Sequence, residues 1–314
     1  MNGRSPSNAT TDGRSAAGLD LAFVWSTFAR FGVPVWFVAL SAMRLVSVVP
    51  ITTVGFDGRL YRAATVAWLA GGDPWQVQLA GAFFAAPPPM LLAMAPFALV
   101  PENVAVVALI ALGVGATAWA LRRLRMPLWW LAFPPLVDGL YNANPHVILM
   151  PLVLSGAAWL APIVKAYVAP VLLLRRQYRA LVVAALVTLV TVPITPWGTF
   201  LGELPRVLHL LGSQTNGGLS AWQVPLLAAP AAVALWYVGI ERAAWWVVPV
   251  FWPATQYYYN SLAMPALTPI AAMILAGQFP GVPAVAIIVS AAEIAWHRRR
   301  ARAVATVQLQ PDGA

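Results

Sequence analysis

The chain has 314 residues, of which 61% are hydrophobic and only 9% charged, against roughly 25% charged in a typical soluble domain. So few charges cannot cover a water-soluble surface of this size, and no period-two alternation of about ten residues marks an outer-membrane barrel. The absence of cysteine excludes disulfides, a thiolate metal site and a cysteine nucleophile, and the net charge is +9. The charge does not point to nucleic acid, because the basic residues sit in short clusters between apolar runs, as membrane-flanking charges do.

The expected fold is all-α, a polytopic integral membrane protein with about 10–11 transmembrane or partly spanning helices. Residues 1–20, polar and rich in Gly, Ser and Thr, lack the h-region and cleavage site of a signal peptide and read as a disordered cytoplasmic tail. Residues 21–300 form a single membrane domain, and 301–314 a polar C-terminal tail. Apolar segments fall at about 28–50, 86–100, 103–121, 127–141, 145–161, 162–174, 178–197, 220–240, 243–259, 261–277 and 281–297. Several are shorter than the about 20 residues of a full span. Proline-interrupted segments at membrane depth are tolerated only where protein or a watery cavity covers them, so they predict broken helices around an internal cavity. A cytoplasmic N-terminus puts the loop 51–87 outside. A second outer loop is expected over 198–220.

The first loop holds "GFDGRLYRAATVAWLAGGDPW" (55–75), with Asp57, Arg59, Arg62 and Asp73 in one stretch. Leu60, Ala64, Ala67 and Trp68 fall at helical spacing, so 57–70 is predicted to be a short interfacial helix stopped by Gly-Gly-Asp-Pro. Asp73 belongs to that turn. Asp57 has two readings: a cap for the N–H groups of Arg59 and Leu60, or a general base at the membrane surface. Arg59 and Arg62 are either interfacial anchors or cations for a phosphate.

Farther on, Asp138 and His146 flank "GLYNANP" in apolar surroundings, where pairing with one another or with a helix end is as natural as catalysis. Lys165 lies between Pro162 and Pro170. A lysine at membrane depth costs about 2.5–3.5 kcal/mol, so it either snorkels from a helix end or serves a site. Glu203, Arg206 and His209 fit one face of an amphipathic loop helix. The three histidines pair with no carboxylate at metal-ligand spacing, so neither a metal nor a cofactor is expected.

Asp57, Tyr61 and Ala64 followed by "LAGGDPW" resemble the first loop of the polyprenol-phosphate-dependent GT-C glycosyltransferases, specifically the alpha-mannosyltransferase family numbered 87. "FFAAPPPMLLAMAPFALVP" (83–101) is similar to that family's proline-led second segment. "LYNANPHVILMPLVL" (140–154) resembles its Asn-containing helix start, without the Gly-Gln. "APIVKAYVAPVLLLRRQYRAL" (161–181) resembles its lysine–proline hairpin. "TNGGLSAWQVPLL" (215–227) and "FWPATQYYYNSLAMPAL" (251–267) resemble two later elements, the last with Tyr257, Tyr258 and Tyr259 where the family has a histidine.

The resemblance implies an inverting transfer of a hexose, mannose by the family's habit, from a polyprenyl-phosphate donor to a lipid or glycan acceptor at the extracytoplasmic face. Asp57 would be the base, Arg59, Arg62 and Lys165 would hold the donor phosphate, and Tyr61, Asn144, His209, Asn216 and Tyr258 would bind substrate. Its partners would be donor, acceptor and membrane lipids, with no nucleic acid. The Ala/Arg/Trp-rich, Lys-poor composition fits a GC-rich bacterial genome, and the expected location is the plasma membrane, multi-pass. A lipid transporter or flippase, or an inactive paralogue acting as a scaffold in view of the short chain, is the alternative; no internal repeat supports the transporter.

Overall fold

The computed structural model describes residues 27–48, 53–213 and 219–308. The predicted N-terminal tail 1–20 therefore lies outside the described residues. The protein is mostly helical, 77% of it, and among the described residues the only sheet is a hairpin of two strands of two residues each. This places it in the all-α class.

A π-helical turn, Phe28–Gly32, leads into α1 (Val33–Val48), followed by α2 (Phe56–Leu69). Gly71, at φ +81°, ends α2, and Asp73 caps the 3-10 turn Pro74–Gln76 by accepting from Trp75 N at 2.9 Å. The first loop thus folds into a helix, a turn and the hairpin β1 (Gln78–Leu79) with β2 (Ala82–Phe83). The chain continues with α3 (Pro89–Ala98), α4 (Glu102–Arg123), α5 (Pro134–Tyr141), α6 (Leu149–Leu154), α7 (Leu160–Val164), α8 (Ala169–Leu174), α9 (Tyr178–Thr191) and α10 (Trp197–Ser213). After residues 214–218, α11 (Ala228–Val238), α12 (Ile240–Phe251), a 3-10 segment (Tyr257–Ala266), α13 (Pro269–Leu275) and α14 (Val282–Gln308) complete the chain.

Proline sets this segmentation. It stands in the first turn of α3, α5, α8 and α13, where its missing N–H is harmless, and the residues before α5 and α13, Phe133 and Thr268, are held in extended backbone. Two helices among the described residues, Phe28–Ser47 and Glu102–Arg123, are long and apolar enough to cross a membrane. The expected segments 220–240 and 261–277 are not continuous helices: 3-10 turns break the first before Ala228 and the second before Pro269. The expected outer loop 198–220 is helical to Ser213. The polar tail begins as the continuation of α14.

The core is apolar, with Trp75, Phe84, Met90, Leu121, Phe133 and Trp246 fully enclosed. Yet Asp138, Asn144, His146, Lys165, Asn260 and Glu293 are also buried, while Val35, Val46, Val107, Leu189, Leu226 and Trp236 stand exposed.

Candidate functional site

The site begins with two backbones in contact. Gly55 caps α2 in the left-handed region at φ +78°, and its N–H donates to Tyr141 O at 2.7 Å. Gly58 N donates to Asn142 O at 3.1 Å, and a Cβ on Gly58 would stand 2.9 Å from the Ala143 Cβ. Only a chain without side chains at these points lets α2 lie this close to the turn after α5. Asp57, between the two glycines, is thereby held over that turn.

The turn aims Asn144. Ala143 takes φ +49°, a left-handed conformation rare outside glycine. Asn144 then caps the 3-10 turn Pro145–Ile148, its Oδ1 accepting from His146 N at 2.8 Å. With its oxygen engaged, the amide turns its nitrogen to Asp57, and Nδ2 donates to Asp57 Oδ2 at 2.7 Å. The expectation that Asp57 caps its own helix is corrected: Gly55 is the cap residue, and Arg59 N donates to Gly55 O.

Lys165 arrives from a break between α7 and the 3-10 turn Ala166–Val168, in extended backbone (φ −147°, ψ 108°). Its side chain is buried, and the ammonium donates to Tyr61 Oη. Tyr61 stands one helical turn beyond Asp57, so both project from one face of α2. Asp57 and Lys165 do not form a direct ion pair; the ion pairs among the described residues are elsewhere. Burial pushes the Asp57 carboxyl above the ordinary carboxylate range, while the Asn144 hydrogen bond and the Lys165 charge pull it partly back. Burial and the Asp57 charge push the Tyr61 phenol up as well, so it remains a neutral hydroxyl.

These groups face a cavity of about 290 Å³, at the lower end of ligand-sized pockets of about 300–1,000 Å³. Asp57, Tyr61, Asn144 and Lys165 form its polar end, and Tyr167, Trp252, Tyr258 and Tyr259 an aromatic wall. Leu204, Val207, Leu208 and Leu211 of α10 close it with an apolar face. Gln76 Nε2 donates to Glu203 Oε1 at 2.9 Å, and the Arg206 guanidinium lies 4.8 Å from the Phe83 ring centre, fastening α10 to the first loop. Behind the wall, His146 Nδ1 lies 2.6 Å from Tyr167 Oη, and its ring stacks on Tyr259 with centroids 4.9 Å apart.

No protein-family model, curated protein or solved structure matches the chain.

The structure brings together Asp57, Tyr61, Asn144, Lys165 and Tyr258 of the residues predicted from sequence. It does not bring in the two arginines. Arg59 is bound to Glu102, to Asn103 Oδ1 at 2.9 Å and to Val54 O at 3.1 Å. Arg62 donates to Val100 O at 2.8 and 3.2 Å. Both side chains leave the face of α2 that carries Asp57 and Tyr61, because residues two or five apart cannot share it.

His209 is exposed on the outer side of α10, away from the leucines that line the cavity, while Glu203 and Arg206 pair with each other at 3.5 Å. Asn216 lies outside the described residues. Asp138 and His146 are not partners either: Asp138 pairs with Arg44 at 2.8 Å. Sequence reasoning passed over Tyr167, Tyr259 and Trp252. The run Tyr257–Tyr259 and the tyrosine two residues past Lys165 were the available signals.

Proposed function

We propose that the protein is an integral-membrane hexosyltransferase that takes its sugar from a polyprenyl-phosphate donor, in the manner of the GT-C enzymes it resembles. The membrane part of the reading is supported by inverted burial. Large apolar side chains cover the outside of α1, α4, α9 and α11, whereas ionisable and amide groups are turned inward. That arrangement suits a hydrocarbon surround and would be costly in water. The two helices of spanning length fit the same reading, as does a multi-pass placement in a bacterial plasma membrane.

The observation that carries the chemical reading is the meeting of Asp57 and Lys165 at one end of a single cavity, without pairing. The gap between them suits a reacting sugar phosphate. In the proposed reaction an acceptor hydroxyl gives its proton to the Asp57 carboxylate. The oxygen attacks the anomeric carbon from the face opposite the phosphate, and the bond from that carbon to the phosphate oxygen breaks with its electron pair going to the phosphate. The product glycoside is inverted, and polyprenyl phosphate leaves.

Lys165 bears on the leaving group. An ammonium has three N–H donors; one is used on Tyr61, leaving two for phosphate oxygens whose charge grows in the transition state. The leucine face of α10 suits the first isoprene units of the carrier. Arg59 and Arg62 have no part in this scheme, being engaged outside the cavity.

The test is direct. Purified protein in liposomes, given radiolabelled polyprenyl-phosphate-mannose and a membrane lipid extract, should form a labelled glycoside and release polyprenyl phosphate. Carrier bound tightly with no product over hours would instead favour a scaffold or flippase.

A further inference from the structure

A second polar compartment adjoins the first. Arg44 from α1, Asp138 from α5, Gln256, Tyr257 and Tyr258 from the start of the long 3-10 segment, and Gln278 after α13 line a pocket of about 240 Å³. Arg44 Nε donates to Asp138 Oδ1 at 2.8 Å, one of its terminal nitrogens lies 3.5 Å from Gln278 Oε1, and its guanidinium lies 5.6 Å from the Tyr257 ring centre. Among the described residues, no hydrogen bond reaches Asp138 Oδ2 or the side-chain amide of Gln256. Asp138 is only 4% exposed, and since Oδ2 is not among the enclosed atoms left without a partner, it is open to the pocket as an acceptor.

We infer that this pocket binds a neutral sugar ring of the acceptor, which makes the acceptor a glycan or glycolipid headgroup. The chemistry of the lining selects that class. Arg44 is already neutralised by Asp138, so an anionic phosphate gains no net attraction and meets a carboxylate. A polyol offers donors to Asp138 Oδ2 and both donors and acceptors to the two glutamine amides. The tyrosine rings supply flat apolar faces for the C–H side of a pyranose.

Position completes the argument. Tyr258 lines this pocket and also the cavity that holds Asp57. Asp138 is joined to Asn144, the partner of Asp57, through the short turn that ends α5. A ring seated beside Arg44 and Asp138 therefore has one edge at the wall shared with the proposed base. The assignment rests on the transferase reading for its role, though binding itself can be read without turnover.

The experiment uses the full chain in detergent and saturation-transfer NMR with methyl α-D-mannopyranoside, mannobiose and, as an anionic probe, inorganic phosphate. Neutral sugar should bind to wild type and to Asp57→Asn alike. Gln256→Ala combined with Gln278→Ala, which leaves the Arg44–Asp138 pair intact, should weaken binding about tenfold at an unchanged melting temperature. No sugar binding to wild type, wild-type binding in the glutamine variant, or preference for phosphate would overturn the assignment. Sugar binding without labelled product in the transfer assay would instead sink the transferase reading and leave the pocket standing.

Discussion

Two carboxylates, Asp138 buried and Asp57 half-buried, flank the same short turn, and they are held in opposite ways. Asp138 is in direct contact with the Arg44 guanidinium at 2.8 Å. Asp57 has a neutral amide at 2.7 Å and its nearest functional cation, Lys165, bonded to Tyr61 instead. A carboxylate in direct contact with a guanidinium is engaged as a charge partner. One held by a neutral amide at the edge of a cavity, with burial pushing its proton affinity up, is placed to accept a proton. Only the second opens on the larger cavity. The contrast separates a group suited to holding from a group suited to proton transfer.

Substitutions can break or sharpen that contrast. Apart from changes at Asp57 itself, Lys165→Met should have the largest effect, lowering transfer from the polyprenyl-phosphate donor by about 10²–10³-fold, the scale of losing one group that stabilises developing charge. Steady-state rates in liposomes check this, and a loss under threefold would remove Lys165 from the leaving-group role. Asp138→Asn should act mainly on stability, by about 1–3 kcal/mol. That is below the 3–5 kcal/mol of a fully buried broken pair, because the Arg44 side chain is 28% exposed. Thermal unfolding in detergent measures it.

Asn144→Ala should change pH dependence more than maximal rate. The Asp57 carboxylate is the active form, so activity falls as pH drops through its already raised pKa. Removing the Asn144 N–H takes away a bond that favours the charged form, so the acidic limb of the pH–rate profile should move to higher pH. An unmoved limb would separate Asn144 from the proposed base. Arg59→Gln should have the smallest effect. Its partners Glu102 and Asn103 lie outside the cavity, so transfer should stay within threefold and stability within about 1 kcal/mol, as for exposed ion pairs.

The helical class was legible because charge is scarce and apolar runs recur, and α2 was legible from the spacing of Leu60, Ala64 and Trp68 and from the Gly-Gly-Asp-Pro stop. Asp57 and Lys165 stood out as ionisable groups in apolar surroundings, which is a local signal. What the sequence hid is nonlocal. Nothing near Asp138 points to Arg44, 94 residues earlier, so the local sequence leaves His146, a helix end or catalysis as equal readings for an isolated acid. Arg59 and Arg62 were grouped with Asp57 by proximity along the chain, although helical geometry turns them to another face. Glu203, Arg206 and His209 marked one face of a loop helix, but nothing local shows that the opposite leucine face of α10 covers the cavity with Asp57.

The central claim is that Asp57 is the base of a sugar transfer. Its sharpest test is transfer of labelled mannose from polyprenyl-phosphate-mannose by Asp57→Asn, with donor binding measured on the same preparation. Asparagine keeps the shape and still meets Asn144 but cannot take a proton, so donor should bind within about threefold of wild type while turnover falls by about 10²–10⁴-fold. Turnover near the wild-type rate with intact donor binding would contradict the account.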